Sequence, residues 1–334
     1  MSAIVVTGAT GFLGGALVRE LRRDGREVVA TGRDRSKGDA LARETGARFV
    51  AGDLAIPSDA ERAIRGASAV VHCAALSSPW GPARAFERAN VRATENVVHA
   101  CERHRVQRLV HVSTPAVYFD LRPREGIRED DPLPERPFND YARTKLDAER
   151  VVAAASSRGL ATVIVRPRAL YGPGDTTILP RVIDALERGI FPILDGGRSL
   201  VDLTYIDDAV EALRCALTSE RAVGGTYHVS SGDPRPIGEV VDELADGLGL
   251  RRPHLRARSS HALALAGLVE RIYRVLPTRR EPRITRYTIG LLARTMTLDL
   301  TRAREDLAYA PKVDLDEGLA RFLQAIGEGA RRPS

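Results

Sequence analysis

The sequence predicts an α/β fold built on a doubly wound parallel sheet, with a smaller C-terminal lobe interleaved with it. Three observations predict it. Ala3-Ile4-Val5-Val6-Thr7 is a continuous apolar, β-branched run, as a strand buried on both faces requires. Gly8-Ala9-Thr10-Gly11-Phe12-Leu13-Gly14 follows at once and leads into Ala16, Leu17, Val18 and Leu21, which recur at helical spacing. Further strand-like runs then alternate with helix-length segments to about residue 170, where the even rhythm loosens.

The first strand, loop and helix together carry chemistry. Glycines at this spacing permit a tight turn and close approach of a pyrophosphate, and the helix N-terminus offers free N–H groups at the positive end of its dipole. A Rossmann-type dinucleotide site is expected, with Gly8, Thr10, Gly11, Phe12, Leu13 and Gly14 as its floor. The next strand, Glu27 to Thr31, ends at Gly32-Arg33-Asp34-Arg35-Ser36-Lys37. An Arg at that tip suits the 2′-phosphate of NADP, and an acidic residue would suit the ribose hydroxyl of NAD. Arg33 makes NADP(H) the favoured cofactor, while Asp34 keeps NAD(H) open.

The strand Arg48 to Ala51 ends in Gly52-Asp53-Leu54. Asp53, with Leu54 beside it, can accept a hydrogen bond from an adenine amine, or it can cap the helix that starts near Pro57. Ala69 to Cys73 reads as a strand, and the small residues Ala74 and Ala75 after it let a cofactor lie close to backbone. Trp80, the sole tryptophan, sits in the loop Ser77 to Pro82 and either lines a substrate pocket or anchors the loop. One long helix is expected from about Pro82 to Arg103. It contains Asn90, a residue that inside a helix either faces water or has a task. The strand Arg108 to Val112 ends in Ser113-Thr114-Pro115, hydroxyls placed where doubly wound sheets bind ligands, unless they only form a turn. Residues 119–137 read as an irregular loop rich in proline and charge.

Tyr141 and Lys145 lie four residues apart on the helix that Asn139 or Asp140 caps, so they share a face. A neighbouring ammonium favours the phenolate and is expected to lower the tyrosine pKa, making a general acid/base that trades a proton with an alcohol or carbonyl. The chain uses arginine for nearly every cation and has three lysines, so a compact ammonium at 145 is notable. Leu160 to Val165 is a further strand, ending in Arg166-Pro167. Beyond it, helical patterns fall near 178–188, 207–217, 237–248, 262–276 and 316–326, and short strands near 201–206 and 226–229. These imply a dinucleotide-binding domain over 1–170, with parts of 200–230 returning to it, and a smaller substrate-binding lobe over 171–330. The apolar stretch Ala262 to Leu276 is expected as a core or pocket-lid helix, with attachment to a membrane surface as the alternative.

Composition narrows the function class. The 334 residues carry a net charge of +6, but acidic residues are nearly as numerous and both signs are scattered, which argues against a nucleic-acid footprint. Cys73, Cys101 and Cys215 are far apart and form no disulfide or zinc pattern, and the histidines show no ligand spacing, so no metal is expected. No run is long and apolar enough for a membrane span, and no signal peptide is evident. A cytoplasmic protein acting on a small molecule is the expectation.

With these motifs in order, the chain resembles the extended short-chain dehydrogenase/reductase family, also called the NAD-dependent epimerase/dehydratase family. Thr7 to Gly14 is similar to its cofactor signature, Asn90-Val91-Arg92-Ala93-Thr94 to its active-site Asn motif, and Tyr141 and Lys145 to its catalytic pair. Ser113-Thr114-Pro115-Ala116-Val117-Tyr118 resembles the strand carrying the catalytic hydroxyl, which puts that role on Thr114. Arg166-Pro167 with Tyr171-Gly172-Pro173-Gly174 resembles the loop beside the nicotinamide, implicating Pro167 in cofactor contact and Tyr171, with Trp80 and Thr114, in substrate contact. A finer resemblance is to the 3β-hydroxysteroid dehydrogenase-like branch, which includes 2-alkyl-3-ketoacid reductases. It is carried by Ser78 to Pro82, Val201 to Asp208, and Leu298-Asp299 through Leu307 to Pro311. Ala308 stands where that branch usually has Gly.

The resemblance implies hydride transfer between NAD(P)(H) and a secondary alcohol or ketone, steroid-like or β-keto/hydroxy-acid-like. Tyr141 would be the general acid/base, Thr114 would bond the carbonyl oxygen, and Lys145 would hold the nicotinamide ribose. Asn90 would order a water or backbone group. The alternative is a nucleotide-sugar epimerase or dehydratase with tightly bound NAD, needing a basic clamp such as Arg181, Arg188 and Arg198. A homodimer is implied by the resemblance alone.

Overall fold

Alternate residues of the first strand feed opposite sides of a sheet. In the computed structural model, which describes residues 3–276 and 281–330, Ile4 and Val6 enter one apolar core and Val5 enters another. Residues 1, 2 and 277–280 of the two expected domain spans lie outside the described residues. The continuous apolar run of β1 (Ala3–Thr7) follows from having helices on both faces.

The elements continue as α1 (Phe12–Arg23), β2 (Val28–Gly32), α2 (Arg35–Thr45), β3 (Arg48–Ala51), α3 (Pro57–Ile64) and β4 (Ala67–His72). Next come α4 (Ala83–Phe86), a π-helical stretch (Glu87–Arg92), α5 (Ala93–Arg103), β5 (Arg108–Val112), β6 (Arg124–Ile127), α6 (Asp140–Ser157) and β7 (Thr162–Pro167). The C-terminal half holds β8 (Leu170–Tyr171), α7 (Leu179–Glu187), β9 (Pro192–Leu194), β10 (Leu200–Val201), β11 (Thr204–Tyr205), α8 (Ile206–Thr218), β12 (Thr226–Val229) and β13 (Arg235–Pro236). It ends with α9 (Ile237–Gly247), β14 (Leu255–Ala257), α10 (Ser259–Val275), α11 (Arg286–Ala293), β15 (Met296–Leu298), α12 (Thr301–Leu307) and α13 (Leu315–Ala330).

The central sheet has seven strands in the order β12-β7-β5-β4-β1-β2-β3, every pairing parallel. Leu13, Leu17 and Leu41 of α1 and α2 join Leu213 of α8 in the core on one face. Ile64, Val97 and Val152 of α3, α5 and α6 fill the other. The strand order reverses between β1 and β4, so the loops after those two strands open a crevice at the carboxyl edge. Among the described residues no helix is long and apolar enough to cross a membrane.

Four expectations change. The single long helix over 82–103 is broken by the π-helical stretch, which contains Asn90. The loop over 119–137 contains β6, which pairs with β15 from the far end of the chain, a partner that local patterning cannot show. The strand expected over 201–206 splits into β10 and β11, which belong to different sheets. Finally, α10 is neither core nor sealed lid: Leu265, Leu268, Ile272 and Val275 are exposed, and only Ser259, Ala266 and Glu270 of the helix are buried.

Two buried carboxylates tie the C-terminal stretches together. Asp202 accepts from the Leu298 N–H at 3.2 Å, and Asp208 accepts from Lys312 and Val313 N–H at 2.8 and 3.2 Å. Asp202 and Asp208 are therefore structural clasps for the segments at 298 and 312.

Candidate active site

The glycine loop is a surface made of backbone. Gly8 has φ +64°, and a Cβ there would lie 2.8 Å from Ala74 backbone. A Cβ on Gly14 would fall onto the Gly8 carbonyl oxygen. Gly11 is the N-cap of α1 and no side chain caps that end, which leaves the first-turn N–H groups of α1 without a side-chain partner. This cradle fits a pyrophosphate, and the residues present suit a dinucleotide. Ala74 and Ala75 follow β4 beside the loop, as expected.

At the adenosine end, Asp34 is spent as the N-cap of α2, accepting from the Lys37 N–H at 3.0 Å. Arg33 is exposed at the tip of β2 and is close enough to Asp53 to lower its pKa. Asp53 does not cap α3, whose N-cap is Ile56 with no side-chain bond. Its carboxylate instead accepts from Ala55 N–H at 3.0 Å and from Arg88 at 2.7 Å. Leu54 behind it is buried.

The other end of the crevice is built from side chains. Asn139 caps α6 by accepting from Ala142 N–H at 2.8 Å, which fixes the first turn that carries Tyr141. Lys145, one turn on, is buried; its Nζ donates to the Val112 carbonyl at 2.6 Å and lies 3.5 Å from His111 Nε2. Burial pulls this ammonium down to about 8. The Tyr141 phenol faces the hydroxyls of Thr114 and Ser77. Burial raises its pKa, and hydrogen bonding to those two hydroxyls pulls the other way without offsetting it. The lowering expected from Lys145 is thus reversed, because desolvation dominates and the ammonium is turned to the end of β5.

Asn90 has a structural task that its position in the sequence only hinted at. Its Oδ1 accepts from Leu76 N–H at 2.7 Å, and its Nδ2 donates to the Leu76 carbonyl at 3.3 Å and to Thr144 Oγ1 at 3.0 Å. It pins the loop after β4 to α6 next to Lys145. A second buried chain supports the same loop. Ala74 N–H donates to Thr7 Oγ1 at 3.1 Å, and Thr7 Oγ1 meets His72 Nδ1 at 2.8 Å. His72 Nε2 meets Thr94 Oγ1 at 3.1 Å, and Thr94 donates to the Asn90 carbonyl at 2.6 Å. The directions are consistent with a neutral His72 carrying its proton on Nε2, and burial lowers its pKa to about 3.

One expected residue stands elsewhere. Tyr171 is fully buried, edge-on to Tyr205 at 5.5 Å, with its hydroxyl against Gly318, so it is core and lines no crevice. Trp80 lies with Arg274 of α10 over its ring at 5.8 Å, which joins the loop after β4 to the C-terminal lobe. Pro167 ends β7, while Arg166 turns away, paired with Glu149 of α6 at 2.8 and 2.6 Å and donating to Tyr118 Oη at 2.5 Å. Sequence reasoning placed Thr7 and Thr94 only as members of motifs and Ser77 only in a loop, and gave His72 no role. The available signal was a polar residue interrupting an apolar run, as in Val70-Val71-His72.

Comparison with known proteins agrees with this geometry. Residues 4–230 match the model of the NAD dependent epimerase/dehydratase family. A 2-alkyl-3-oxoalkanoate reductase of Stenotrophomonas maltophilia (strain K279a) is 36% identical over 325 residues, covering 96% of this chain and 98% of its own. A 4-hydroxy-2-methyl-3-oxo-4-farnesyl-3,4-dihydroquinoline-1-oxide ketoreductase of Stigmatella aurantiaca is 36% identical, covering 97% of both. Among solved structures, MoeE5 in complex with UDP-glucose and NAD superposes with a TM-score of 0.77 at 29% identity, over 98% of this chain and 99% of that one. With a glycine cradle, an all-parallel sheet and these relatives along nearly its whole length, the chain belongs to the NAD-dependent epimerase/dehydratase family of enzymes.

Proposed function

We propose that this enzyme interconverts a ketone and a secondary alcohol on an apolar substrate. The observation that carries the reading is the grouping of the Tyr141 phenol with Thr114 and Ser77 hydroxyls at the sheet edge that also carries the glycine cradle. The nicotinamide cofactor, when bound, supplies or accepts the hydride. Tyr141 donates its proton to the carbonyl oxygen during reduction, and its raised pKa keeps that proton in place at neutral pH. Thr114 donates a hydrogen bond to the same oxygen as charge develops on it. Lys145 holds a positive charge one helical turn away, on the side where the ribose of the cofactor would lie. Asn90 keeps the loop after β4 in register with α6.

Names of the relatives support a reductase: two of them at 36% identity are named for the reduction of 3-oxo compounds. Arg33 exposed at the β2 tip, with Asp34 engaged in capping, supports NADP(H) over NAD(H). The lobe over 171–330 supplies the substrate side. Pairing of two copies through α5 and α6 completes the reading. Nucleotide-sugar epimerisation has less support, because Arg181 and Arg188 of the required clamp are paired with Glu281 and Asp184.

A screen of 3-oxo acids and 3-ketosteroids with NADPH and NADH tests the proposal. Ketone-dependent oxidation of NADPH is expected, and Tyr141→Phe should reduce it about 10²- to 10⁴-fold while cofactor binding persists. Unchanged turnover in that variant, or release of tightly bound NAD on denaturation with no ketone reduction, would overturn it.

A further inference from the structure

Arg168 lies one residue beyond β7, at the carboxyl edge of the central sheet. Val112 of β5 pairs with Val165 of β7, so the segments reaching Thr114 and Pro167 leave the sheet side by side. The backbone of Arg168 is held on both sides: its N–H donates to the Val229 carbonyl at 2.9 Å, and its carbonyl accepts from the Thr204 hydroxyl. Its guanidinium is treated differently. The residue is 7% exposed, its Nε has no hydrogen-bond partner, and it forms no ion pair within 4 Å among the described residues.

The groups around that guanidinium are telling. Its electrostatic neighbours are the Tyr287 phenol and the Asp202 carboxylate. Tyr287 in turn feels the Tyr141 phenol. The Tyr287 ring stands edge-on to Phe119 at 5.2 Å and tilted against Phe138 at 6.2 Å, and Phe138 precedes the cap of α6. Tyr287 therefore interacts electrostatically with both the Tyr141 phenol and the Arg168 guanidinium. Asp202 is already held by the Leu298 amide and makes no ion pair with Arg168 within 4 Å.

We propose that Arg168 is the receptor for a carboxylate on the substrate, and that the enzyme's ketone belongs to a 3-oxo acid rather than a neutral sterol. This rests on the ketone-reduction reading above and deepens it. Arginine keeps its charge in any protein setting, so this cation stays charged where burial is costly. A neutral substrate would bury it further without compensation. A carboxylate would satisfy it, and the planar fork of the guanidinium matches two carboxylate oxygens. In a 3-oxo acid the carboxylate is separated from the carbonyl carbon by a single carbon. A carbonyl at Tyr141 thus presents its carboxylate only one carbon away from the reacting centre. Hydride addition leaves the carboxylate untouched, so the contact persists from substrate to product.

The test reads equilibrium binding. Calorimetry with NADPH-loaded enzyme, which cannot oxidise the alcohol, compares a long-chain 2-alkyl-3-hydroxy acid with its methyl ester. On the unmodified enzyme the acid should bind at least about tenfold tighter; equal affinities would overturn the proposal, whether or not any variant folds. Arg168→Gln removes the charge at similar size and should lower the acid-to-ester affinity ratio about 10- to 100-fold, with Arg168→Lys in between. An unchanged ratio in a folded Arg168→Gln protein would also overturn it. Turnover is not read, so failure of ketone reduction would strike the broader reading and leave this comparison standing.

Discussion

The two ends of the crevice are made of different material. The glycine end is a cast of backbone, where Gly8 and Gly14 work by what they lack and any Cβ meets Ala74 or the Gly8 carbonyl. The tyrosine end is a cluster of side chains, half-buried Tyr141 with buried Lys145 and Thr114, whose properties depend on being largely taken out of water. Backbone shape tolerates little substitution but asks nothing of electrostatics. A desolvated side-chain cluster keeps its shape under mild substitution yet loses its chemistry when a single proton or charge is lost.

Substitutions should separate these two behaviours. Tyr141→Phe gives the largest expected effect, a fall in turnover of about 10²- to 10⁴-fold with the fold and cofactor affinity intact, read by steady-state kinetics and fluorescence titration. A large loss of cofactor affinity in this variant would mean that the two ends are not separable. Glu149→Ala comes next. It strands Arg166 inside the joint between α6 and β7 and should cost about 3–5 kcal/mol of stability, measured by denaturant unfolding. Gly14→Ala should cost about 1–3 kcal/mol and weaken cofactor binding together, because the overlap is with backbone.

The pH response is a finer probe of the tyrosine end. Burial lowers Lys145 to about 8, so its ammonium is lost as pH rises through that value. Turnover should therefore decline above about pH 8, and Lys145→Arg should remove that limb of the profile whatever its absolute rate. Between about 8 and the ordinary 10.5, the unfolded chain holds a proton that the folded one lacks. The contribution of this group to stability consequently rises with pH over that window, opposite in sign to the loss of activity. A profile with no change near pH 8 would show that Lys145 keeps its charge by another means.

The smallest expected effect lies far from the crevice. Ala308 ends α12 with φ +53°, the left-handed region that favours Gly, the residue that the resemblance implies at this position. Ala308→Gly should raise stability by up to about 1 kcal/mol without altering either end of the site. A destabilisation there would mean that contacts of the Ala308 methyl outweigh its backbone strain.

What the sequence by itself determined is the part whose signals are local. β1, the glycine loop, the helix after it and the spacing of Tyr141 and Lys145 all follow from patterns spanning a few residues, and the structure places them as expected. Tertiary structure alone decided what depends on distant partners. β6 exists because β15 pairs with it, Tyr171 is core because Gly318 leaves room for its ring, and the loop after β4 is held by Thr7, His72 and Asn90 from three segments. It also decided the sign of the Tyr141 shift. The spacing of Tyr141 and Lys145 shows which charge is near, but only packing reveals how much water has been removed, and here the removed water outweighs the nearby charge.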